Sequence, residues 1–277
     1  MTNPAAANTP TIPLDASSPA PARKRRPPRR VEVIRIQVLS PAMRRITLRG
    51  QELEGFEPTA PASYLKLIFP EPGQLEPTRP LPDGPRPVSM RTYTPLAVRP
   101  ETLEVDVDFV LHGEGPASTW ATQAQVGQVL FLMGPGPGYP LDTSAAQHLL
   151  IADDSALPAV ETILAALPAS ASVQVLLEVI DAAEERPLQS AAQLDVQWLA
   201  RGGNNRAAGL PLENALRALQ TVPPEARIYL ACEAAAMRRI RRLLIDELGA
   251  SPSQIVGRGY WKLDVVNHPD HDYGEDA

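Results

Sequence analysis

Apolar and polar residues alternate with a period of two along the first half of the chain, from Val31 onward. Such alternation over short runs, separated by turn residues, is typical of β-strands that bury one face. Because no long helical pattern interrupts these runs, they predict a small antiparallel barrel. The six predicted strands cover residues 31–39, 44–49, 63–69, 88–94, 103–112 and 128–133.

A long connection, residues 70–87 with seven prolines, separates the third and fourth predicted strands. A structureless connection of that length argues against the strand assignments unless it is functional or mobile. We therefore predict a mobile flap at the rim of the barrel. The run at residues 134–138 alternates glycine and proline, and we expect it to end the barrel and act as the hinge to the second half.

From His148 the pattern changes to apolar runs that alternate with helical periodicity. Strands are predicted at residues 148–152, 173–180, 194–199 and 228–231, and helices after residue 153, at 212–220 and at 233–248. Strand alternating with helix indicates a parallel sheet covered on both faces, whose ligand binds beyond the carboxyl ends of the strands. We thus expect a barrel at 30–141 and an α/β domain at 142–263, with a basic Pro/Ala-rich tail at 1–29 and an acidic tail at 264–277.

The charge of the chain is unevenly distributed. The formal net charge is −6, yet residues 1–30 hold six basic side chains against Asp15. The tail has almost no large apolar side chains to offset the entropy of ordering, so we expect it to be disordered. A basic tail can contact nucleic acid or anionic lipid, but the acidic body favours a solvated tail, and we expect no nucleic-acid partner.

Composition also limits the compartment and the chemistry. No apolar run approaches the roughly 18 residues of a membrane span, and the N-terminus lacks the apolar core of a secretory signal, so we expect a cytoplasmic protein. A single cysteine, Cys232, excludes a disulfide framework and any multi-cysteine metal site. With no histidine motif beside it, Cys232 is expected to be buried and inert rather than nucleophilic. No metal site is predicted, and any iron arrives with its own ligand.

The run Arg91-Thr92-Tyr93-Thr94 carries the most distinctive chemistry of the predicted barrel. Alternation puts Arg91 and Tyr93 on one face, with Thr94 turned away or leading into a turn at Pro95. An arginine binds pyrophosphate oxygens in a bidentate fork, a tyrosine packs along a planar ligand, and a threonine hydroxyl bonds a ring nitrogen. The run suits a flavin dinucleotide, although it is also typical of an ordinary half-exposed strand.

The predicted fifth strand places Asp108 and His112 on one side, four residues apart. We expect both to contact a ligand, because the loop that follows has binding chemistry of its own. Glu104 and Asp106 share that side of the strand, and we expect them to form a solvated outer face.

A helix is predicted to start near Pro116, after the loop of residues 113–115. The free N–H groups of its first turn, the Ser118 hydroxyl and the helix dipole make an anion site that suits pyrophosphate. A Gly-Pro start alone more often marks an ordinary helix.

With Asp154-Ser155-Ala156-Leu157-Pro158-Ala159 and Gly259-Tyr260-Trp261-Lys262, these motifs resemble the siderophore-interacting family of flavin-dependent ferric-siderophore reductases. The resemblance covers about residues 31–263. It implies a ferredoxin reductase-like fold, with a six-stranded antiparallel FAD-binding barrel followed by a parallel-sheet nicotinamide domain. It also implies that electrons pass from NADPH or NADH through FAD to a ferric siderophore, releasing Fe(II) for iron acquisition.

The resemblance also implies roles for individual residues. Thr94 would bond the flavin ring, Trp261 would shield its exposed face, and Lys66 and Lys262 would attract an anionic ferric siderophore. Solvated surface lysines are the alternative for the last two. The remaining implied contacts to FAD or nicotinamide are Arg91, Thr92, Tyr93, Asp108, His112, Gly115, Pro116, Ala117, Ser118, Asp154 and Ser155.

The sequence departs from its apparent relatives at three positions. Relatives often carry a basic residue in the loop that here contains Gly136, commonly an arginine where Leu96 stands, and usually a glycine at Ala152. The first two losses remove positive charge on the substrate side. Arg201 is the predicted contact of a 2′-phosphate, which would favour NADPH, and a solvated loop arginine is the alternative.

Three other functions stay open, although we expect a monomeric reductase. The acceptor of a flavin reductase can be a protein or a quinone. A siderophore-binding protein that has lost its cofactor would lack flavin absorbance. A barrel that binds nucleic acid through the basic tail would bind in a salt-sensitive manner.

Overall fold

The computed structural model describes residues 27–71, 73–81, 84–85, 87–111, 115–219, 221–265 and 268. His112 and most of both predicted tails lie outside these residues, as does part of the connection 70–87. Among the described residues, no helix combines the length and the apolarity that crossing a bilayer requires.

The first half forms an antiparallel sheet of seven strands rather than the predicted six. Its order is β4-β3-β7-β1-β2-β6-β5. The strands are β1 (Arg29–Ser40), β2 (Met43–Arg49), β3 (Tyr64–Ile68), β4 (Met90–Tyr93), β5 (Pro95–Arg99), β6 (Glu104–Val110) and β7 (Val129–Gly136).

The extra strand, β5, begins at the proline where we expected a turn. Pro95 lacks an N–H to donate to a ladder, but β5 is the outermost strand of the sheet, where proline is tolerated. The strands at the two edges of the sheet, β4 and β5, are consecutive in the chain, with Thr94 alone between them. The sheet therefore curls until its edges meet at Thr94.

Two boundaries of the barrel differ from the expectation. Arg29, assigned to the tail, begins β1, where it is 7% exposed and its Nη1 donates to the Gly134 carbonyl at 3.0 Å. The expected hinge, residues 134–138, is in part a strand, because β7 continues to Gly136, which pairs with Tyr64. The connection through residues 70–87 is tied to the barrel by Arg79, which bonds the Pro28 carbonyl and Glu52.

The core of the barrel follows the predicted alternation of β6. Val105, Val107 and Phe109 are completely buried. The opposite side of β6 is not the solvated face that we expected. Asp106 is 7% exposed and accepts two hydrogen bonds from Arg99, and Glu104 is paired with the same arginine. Helix α1 (Pro116–Gln123) covers one end of this core.

The second half is a parallel five-stranded sheet in the order β10-β9-β8-β11-β12. Its strands are β8 (Gln147–Asp153), β9 (Ser172–Val179), β10 (Gln193–Ala200), β11 (Arg227–Glu233) and β12 (Ile255–Trp261), and its helices are α2 (Leu157–Ala166), α3 (Leu210–Arg217) and α4 (Ala234–Asp246). Strand β12 was not predicted from the sequence, because Gly257 and Gly259 weaken its strand pattern. Helix α2 packs on one face of the sheet, and α3 and α4 pack on the other.

Candidate functional site

Strand β4 presents a half-buried arginine at the barrel edge. Nη1 of Arg91 donates to the Val88 and Met90 carbonyls at 2.8 and 2.9 Å, which leaves Nη2 and Nε for another acceptor. Burial lowers the pKa of the Arg91 guanidinium. Within the described part of the chain, no carboxylate forms a salt bridge with Arg91. Glu71 acts on it only from a longer range. A desolvated arginine without a salt-bridge partner among the described residues favours an anionic ligand.

Tyr93 and helix α1 share one aromatic cluster. The ring of Tyr93 lies 4.5 Å from Phe109, and Phe109 lies 5.7 Å from Trp120 of α1. Phe69 contacts both Tyr93 and Trp120. The run Arg91-Thr92-Tyr93-Thr94, which we call the flavin-like motif, and helix α1 therefore flank the same region of the barrel.

The amino end of α1 keeps its anion-binding capacity. Gly115 caps the helix without a side-chain hydrogen bond, and the first turn contains no acidic residue. The N–H groups of the first turn of a helix have no partner within the helix, and they favour a phosphate. In addition, Trp120 Nε1 is buried without a hydrogen-bond partner in the described structure. These features, with Arg91, fit a bound flavin dinucleotide.

The barrel and the α/β domain meet between β3 and β12, and we call this junction the domain cleft. The ring of Tyr64 in β3 lies 5.7 Å from Lys66 Nζ and 6.0 Å from the Arg258 guanidinium of β12. Two cations from different domains thus approach one aromatic ring. Lys262 follows β12 and is exposed.

Thr94 also faces this cleft from the barrel side. It is 7% exposed, and its side chain lies beside Tyr260 of β12. The Tyr260 hydroxyl lies 2.8 Å from that of Tyr229 in β11. The end of the flavin-like motif is therefore linked directly to the second domain.

Asp153 organises the carboxyl edge of the parallel sheet. It accepts hydrogen bonds from Trp261 Nε1 at 2.7 Å, from the Glu233 backbone N–H at 3.0 Å, and from the N–H and hydroxyl of Ser155. These bonds join the ends of β8, β11 and β12. The bond to Asp153 consequently holds Trp261 at the domain cleft. The Ser155 hydroxyl donates its hydrogen bond to Asp153 as well.

The structure contradicts the prediction that Arg201 contacts a 2′-phosphate. The Arg201 side chain is 3% exposed and pairs with Asp154 at 2.8 Å and Glu178 at 3.1 Å. A guanidinium enclosed between two carboxylates cannot bind the phosphate of a ligand at the surface. The alternative prediction, a solvated loop arginine, is also wrong because the side chain is buried. Burial raises the pKa of Asp154 to about 7, with a further contribution from neighbouring Asp153. We assign Arg201 and Asp154 to a structural ion cluster.

Asp108 likewise turns inward to an ion cluster. Its side chain is fully buried and accepts from Arg45 at 2.7 and 2.8 Å. Arg186 of the second domain approaches it at 3.4 Å and also pairs with Glu161 at 3.0 Å. Asp108 thus joins the two domains, which argues against the predicted ligand contact.

Several residues of the cleft were missed by sequence analysis: Tyr64, Asp153, Arg258 and Tyr260. Alternation in β12 puts Arg258 and Tyr260 on one face, a signal hidden by the intervening glycine. From sequence, Asp153 was considered only as the residue that precedes a predicted helix. By contrast, Cys232 is 1% exposed and burial raises the pKa of its thiol, in line with the inert role expected.

Two family models together match nearly all of the folded chain. The Siderophore-interacting FAD-binding domain matches residues 32–139, and Siderophore-interacting protein matches residues 145–264. The ferric vibriobactin reductase of Vibrio cholerae is 31% identical over 243 residues, which cover 85% of this chain and 89% of that protein. The chain belongs to the siderophore-interacting protein family. The resemblance stated from sequence is confirmed.

Other comparisons agree with membership of the siderophore-interacting protein family. The NADPH-dependent ferric-chelate reductase of Escherichia coli is 30% identical over 244 residues, covering 84% of this chain and 92% of that protein. A siderophore utilization protein from T. fusca has a TM-score of 0.78 at 33% identity, covering 89% of this chain and 98% of that chain. A ferredoxin reductase in carbazole 1,9a-dioxygenase shares the fold, with a TM-score of 0.62 at 18% identity. The predicted ferredoxin reductase-like fold is also confirmed.

Proposed function

We propose that this protein is an NAD(P)H-dependent, FAD-containing reductase of ferric siderophores. The observation that carries the proposal is the cleft where the flavin-like motif ending at Thr94 meets the Lys66–Tyr64–Arg258 group. The names of the reductase relatives support the same activity. When bound, FAD would accept a hydride from the nicotinamide and release electrons to ferric iron. Hard oxygen donors hold Fe(III) better than Fe(II), so reduction loosens the metal from its chelator.

For FAD itself, we assign the pyrophosphate to Arg91 and the amino end of α1. Arg91 supplies the charge, and the first-turn N–H groups of residues 115–118 supply neutral donors. Tyr93 keeps its ring against the aromatic cluster and shapes the wall beside the ligand. Thr92 is exposed, and we keep it as a contact at the rim. Thr94 lies deepest, where the flavin ring would enter the cleft.

The substrate is held where the two domains face each other. Lys66 of the barrel and Arg258 of the α/β domain both lie beside Tyr64. Both would attract an anionic ferric chelate to an otherwise acidic protein. Lys262 is more exposed and would contribute to the same field. This arrangement accounts for the missing basic residue at Gly136. A Cβ at Gly136 would lie 2.1 Å from Tyr64 Cζ, so a side chain there and the present position of Tyr64 exclude each other.

The nicotinamide nucleotide binds at the carboxyl edge of the parallel sheet, near Asp153, Ser155 and Trp261. With Arg201 enclosed, the nearest exposed cation after β10 is Arg206, whose side chain is 78% exposed. It stands in a turn that Asn204 caps by accepting from the Arg206 N–H. We assign the 2′-phosphate of NADPH to Arg206.

Both walls of the cleft come from one chain, so we propose that the enzyme acts as a monomer. Light scattering at the concentrations used for activity checks this. We also propose that it works in the cytoplasm, where reduced nicotinamide nucleotides are made, which cell fractionation checks.

A visible spectrum tests the proposed function. Purified protein supplied with FAD should show bound-flavin absorbance, which anaerobic NADPH bleaches and a ferric siderophore restores, while a ferrous-specific chelator traps Fe(II). Failure to bind FAD would refute the proposal. Equal turnover with a quinone and with ferric chelates would point to a general flavin reductase instead.

A further inference from the structure

The ring of Tyr64 lies on the backbone of a glycine in the neighbouring strand. Tyr64 of β3 and Gly136 of β7 are partners across the antiparallel ladder. A Cβ at Gly136 would lie 2.1 Å from Tyr64 Cζ and 2.4 Å from both Cε atoms, far closer than real side chains approach one another. The φ of Gly136 lies outside the left-handed region, so its backbone suits other residues as well. What glycine supplies here is room for the ring, one face of which covers β7.

Two cations, one from each domain, approach the same ring. Lys66 Nζ lies 5.7 Å from the ring centroid, and the Arg258 guanidinium lies 6.0 Å from it. At such distances a cation is attracted by the electrons of an aromatic ring. Tyr64 is half-buried. Because Gly136 covers one face of the ring, the other face and the edges are left for the cations and for a ligand in the domain cleft.

An aromatic ring flanked by two cations matches one type of iron ligand. A catecholate or phenolate group carries its negative oxygen atoms on an aromatic ring. The oxygen atoms would be attracted by Lys66 and Arg258, and the ring would pack on Tyr64 or on the planar guanidinium. A hydroxamate or carboxylate chelate offers the cations its oxygen atoms but offers Tyr64 no ring. The group therefore attracts anionic chelates in general and favours those with aromatic rings.

We propose that Tyr64 is a specificity-determining residue that contacts the aromatic rings of ferric chelates with catecholate or phenolate oxygens, and so favours them over ring-free chelates. Gly136 is a positioning residue that acts through Tyr64, because a side chain there would displace the ring. The inference rests on the proposed function, since it takes the domain cleft as the site of the ferric chelate.

The test compares two anionic complexes as substrates of the whole chain loaded with FAD: the iron complex of a catechol chelator, and ferric citrate, which has no ring. Tyr64→Ala should raise KM for the catechol complex about fivefold, the size expected for one aromatic pair, and should change KM for ferric citrate much less. Tyr64→Phe keeps the ring and should retain the wild-type ratio of the two KM values. A mere displacement of the two cations would affect both complexes equally. The FAD content should be the same in all variants.

Gly136→Ala tests the positioning. It should reduce the preference for the catechol complex as Tyr64→Ala does, and it should add no further change in a Tyr64→Ala background, because the ring is already absent there. Equal changes for both complexes in Tyr64→Ala, or an unchanged ratio, would overturn the inference. If Gly136→Ala does not fold, the comparison of Tyr64→Ala with Tyr64→Phe decides.

Gallium(III) complexes of the same two chelators separate this inference from the proposed function, since gallium(III) has the charge of ferric iron but is not reduced by flavin. Calorimetry should show the same Tyr64-dependent preference for the catechol complex. Wild-type protein that has this preference and reduces neither iron complex would refute the proposed function alone. Wild-type protein that reduces both iron complexes, with the same preference in Tyr64→Ala, would overturn the inference alone.

Discussion

Replacing Asp108 by asparagine tests whether this carboxylate joins the domains or binds a ligand. Its side chain is fully buried and receives two hydrogen bonds from Arg45. Arg186, from the second domain, lies 3.4 Å away. Asparagine has nearly the same shape, so Asp108→Asn removes the charge without opening a cavity. Two guanidinium groups would then face an amide.

The expected loss of stability depends on how well Arg45 and Arg186 can be accommodated once the Asp108 charge is gone. Breaking a fully buried ion pair costs about 3–5 kcal/mol. The side chains of Arg45 and Arg186 are 26% and 15% exposed, and both keep Glu161 as a partner. We therefore expect the lower end, about 3 kcal/mol, or a fall in Tm of roughly 6–12 °C for a protein of this size. Arg186→Ala should cost less, since Arg45 continues to bond Asp108.

Urea unfolding measures the stability, and flavin absorbance per folded molecule measures FAD binding. Asp108→Asn should lower the stability and leave the amount of bound FAD unchanged. The control is Glu52→Gln in the exposed pair with Arg79, where both side chains are 44% exposed. Such a pair contributes about 0–1 kcal/mol. An Asp108→Asn protein of wild-type stability that has lost FAD would refute our assignment and restore the direct contact inferred from sequence.

Four further outcomes are expected. Arg91→Ala should weaken FAD binding by about 1.5–3 kcal/mol, or roughly 10- to 150-fold in Kd, because a charge-assisted contact is lost; fluorescence titration with FAD measures it. Arg258→Ala should raise KM for an anionic ferric chelate several-fold at unchanged FAD content, in steady-state assays. Arg206→Ala should weaken binding of 2′,5′-ADP about tenfold and of NAD⁺ not at all, by calorimetry. Burial raises the pKa of Asp154 to about 7, so the fold favours the protonated carboxyl. The stability that the raised pKa contributes is complete below the ordinary aspartate pKa and is lost as pH rises to the folded pKa of about 7. Asp154→Asn should therefore lose less stability than the wild type between about pH 4 and pH 7.

Controls for these variants use exposed residues of the same type. Arg242→Ala on α4 serves the arginine variants, and Asp195→Asn on β10 serves Asp154→Asn. Unchanged FAD affinity in Arg91→Ala would contradict the pyrophosphate assignment. Equal losses of 2′,5′-ADP and NAD⁺ affinity in Arg206→Ala would show a general effect on the loop. Identical pH profiles of Asp154→Asn and the wild type would show that Asp154 ionises normally.

Local patterns were sufficient for most of the fold. Strict alternation located β6, and uninterrupted apolar runs located β8, β9 and β11, because those patterns reflect burial directly. Strands β5 and β12 were missed since Pro95 opens one and glycines divide the other. Their positions depend on neighbours distant in sequence, which hold the strands despite weak intrinsic preference.

Some residues of the candidate site could likewise be predicted from the sequence, and others could not. Arg91, Tyr93 and Thr94 could be proposed from sequence, since their chemistry lies within four consecutive residues. The ion pairs of Arg201 could not be predicted, because they depend on Glu178 and Asp154 at the ends of two other strands. Charged residues near a cleft have the same sequence signature whether they bind a ligand or one another. Only the folded arrangement separates the two cases.

The one-residue join at Thr94 restricts how this barrel can vary. Side chains in a strand alternate between faces, so inserting or deleting a single residue there would exchange the inner and outer sides of β5. It would also move the Thr94 side chain away from its neighbour Tyr260. Length changes are better tolerated in the connection through residues 70–87, whose described residues belong to none of the strands. Acceptance of new chelators should therefore arise by exchanging side chains such as those on β12 or by remodelling that connection, with the join itself held at constant length.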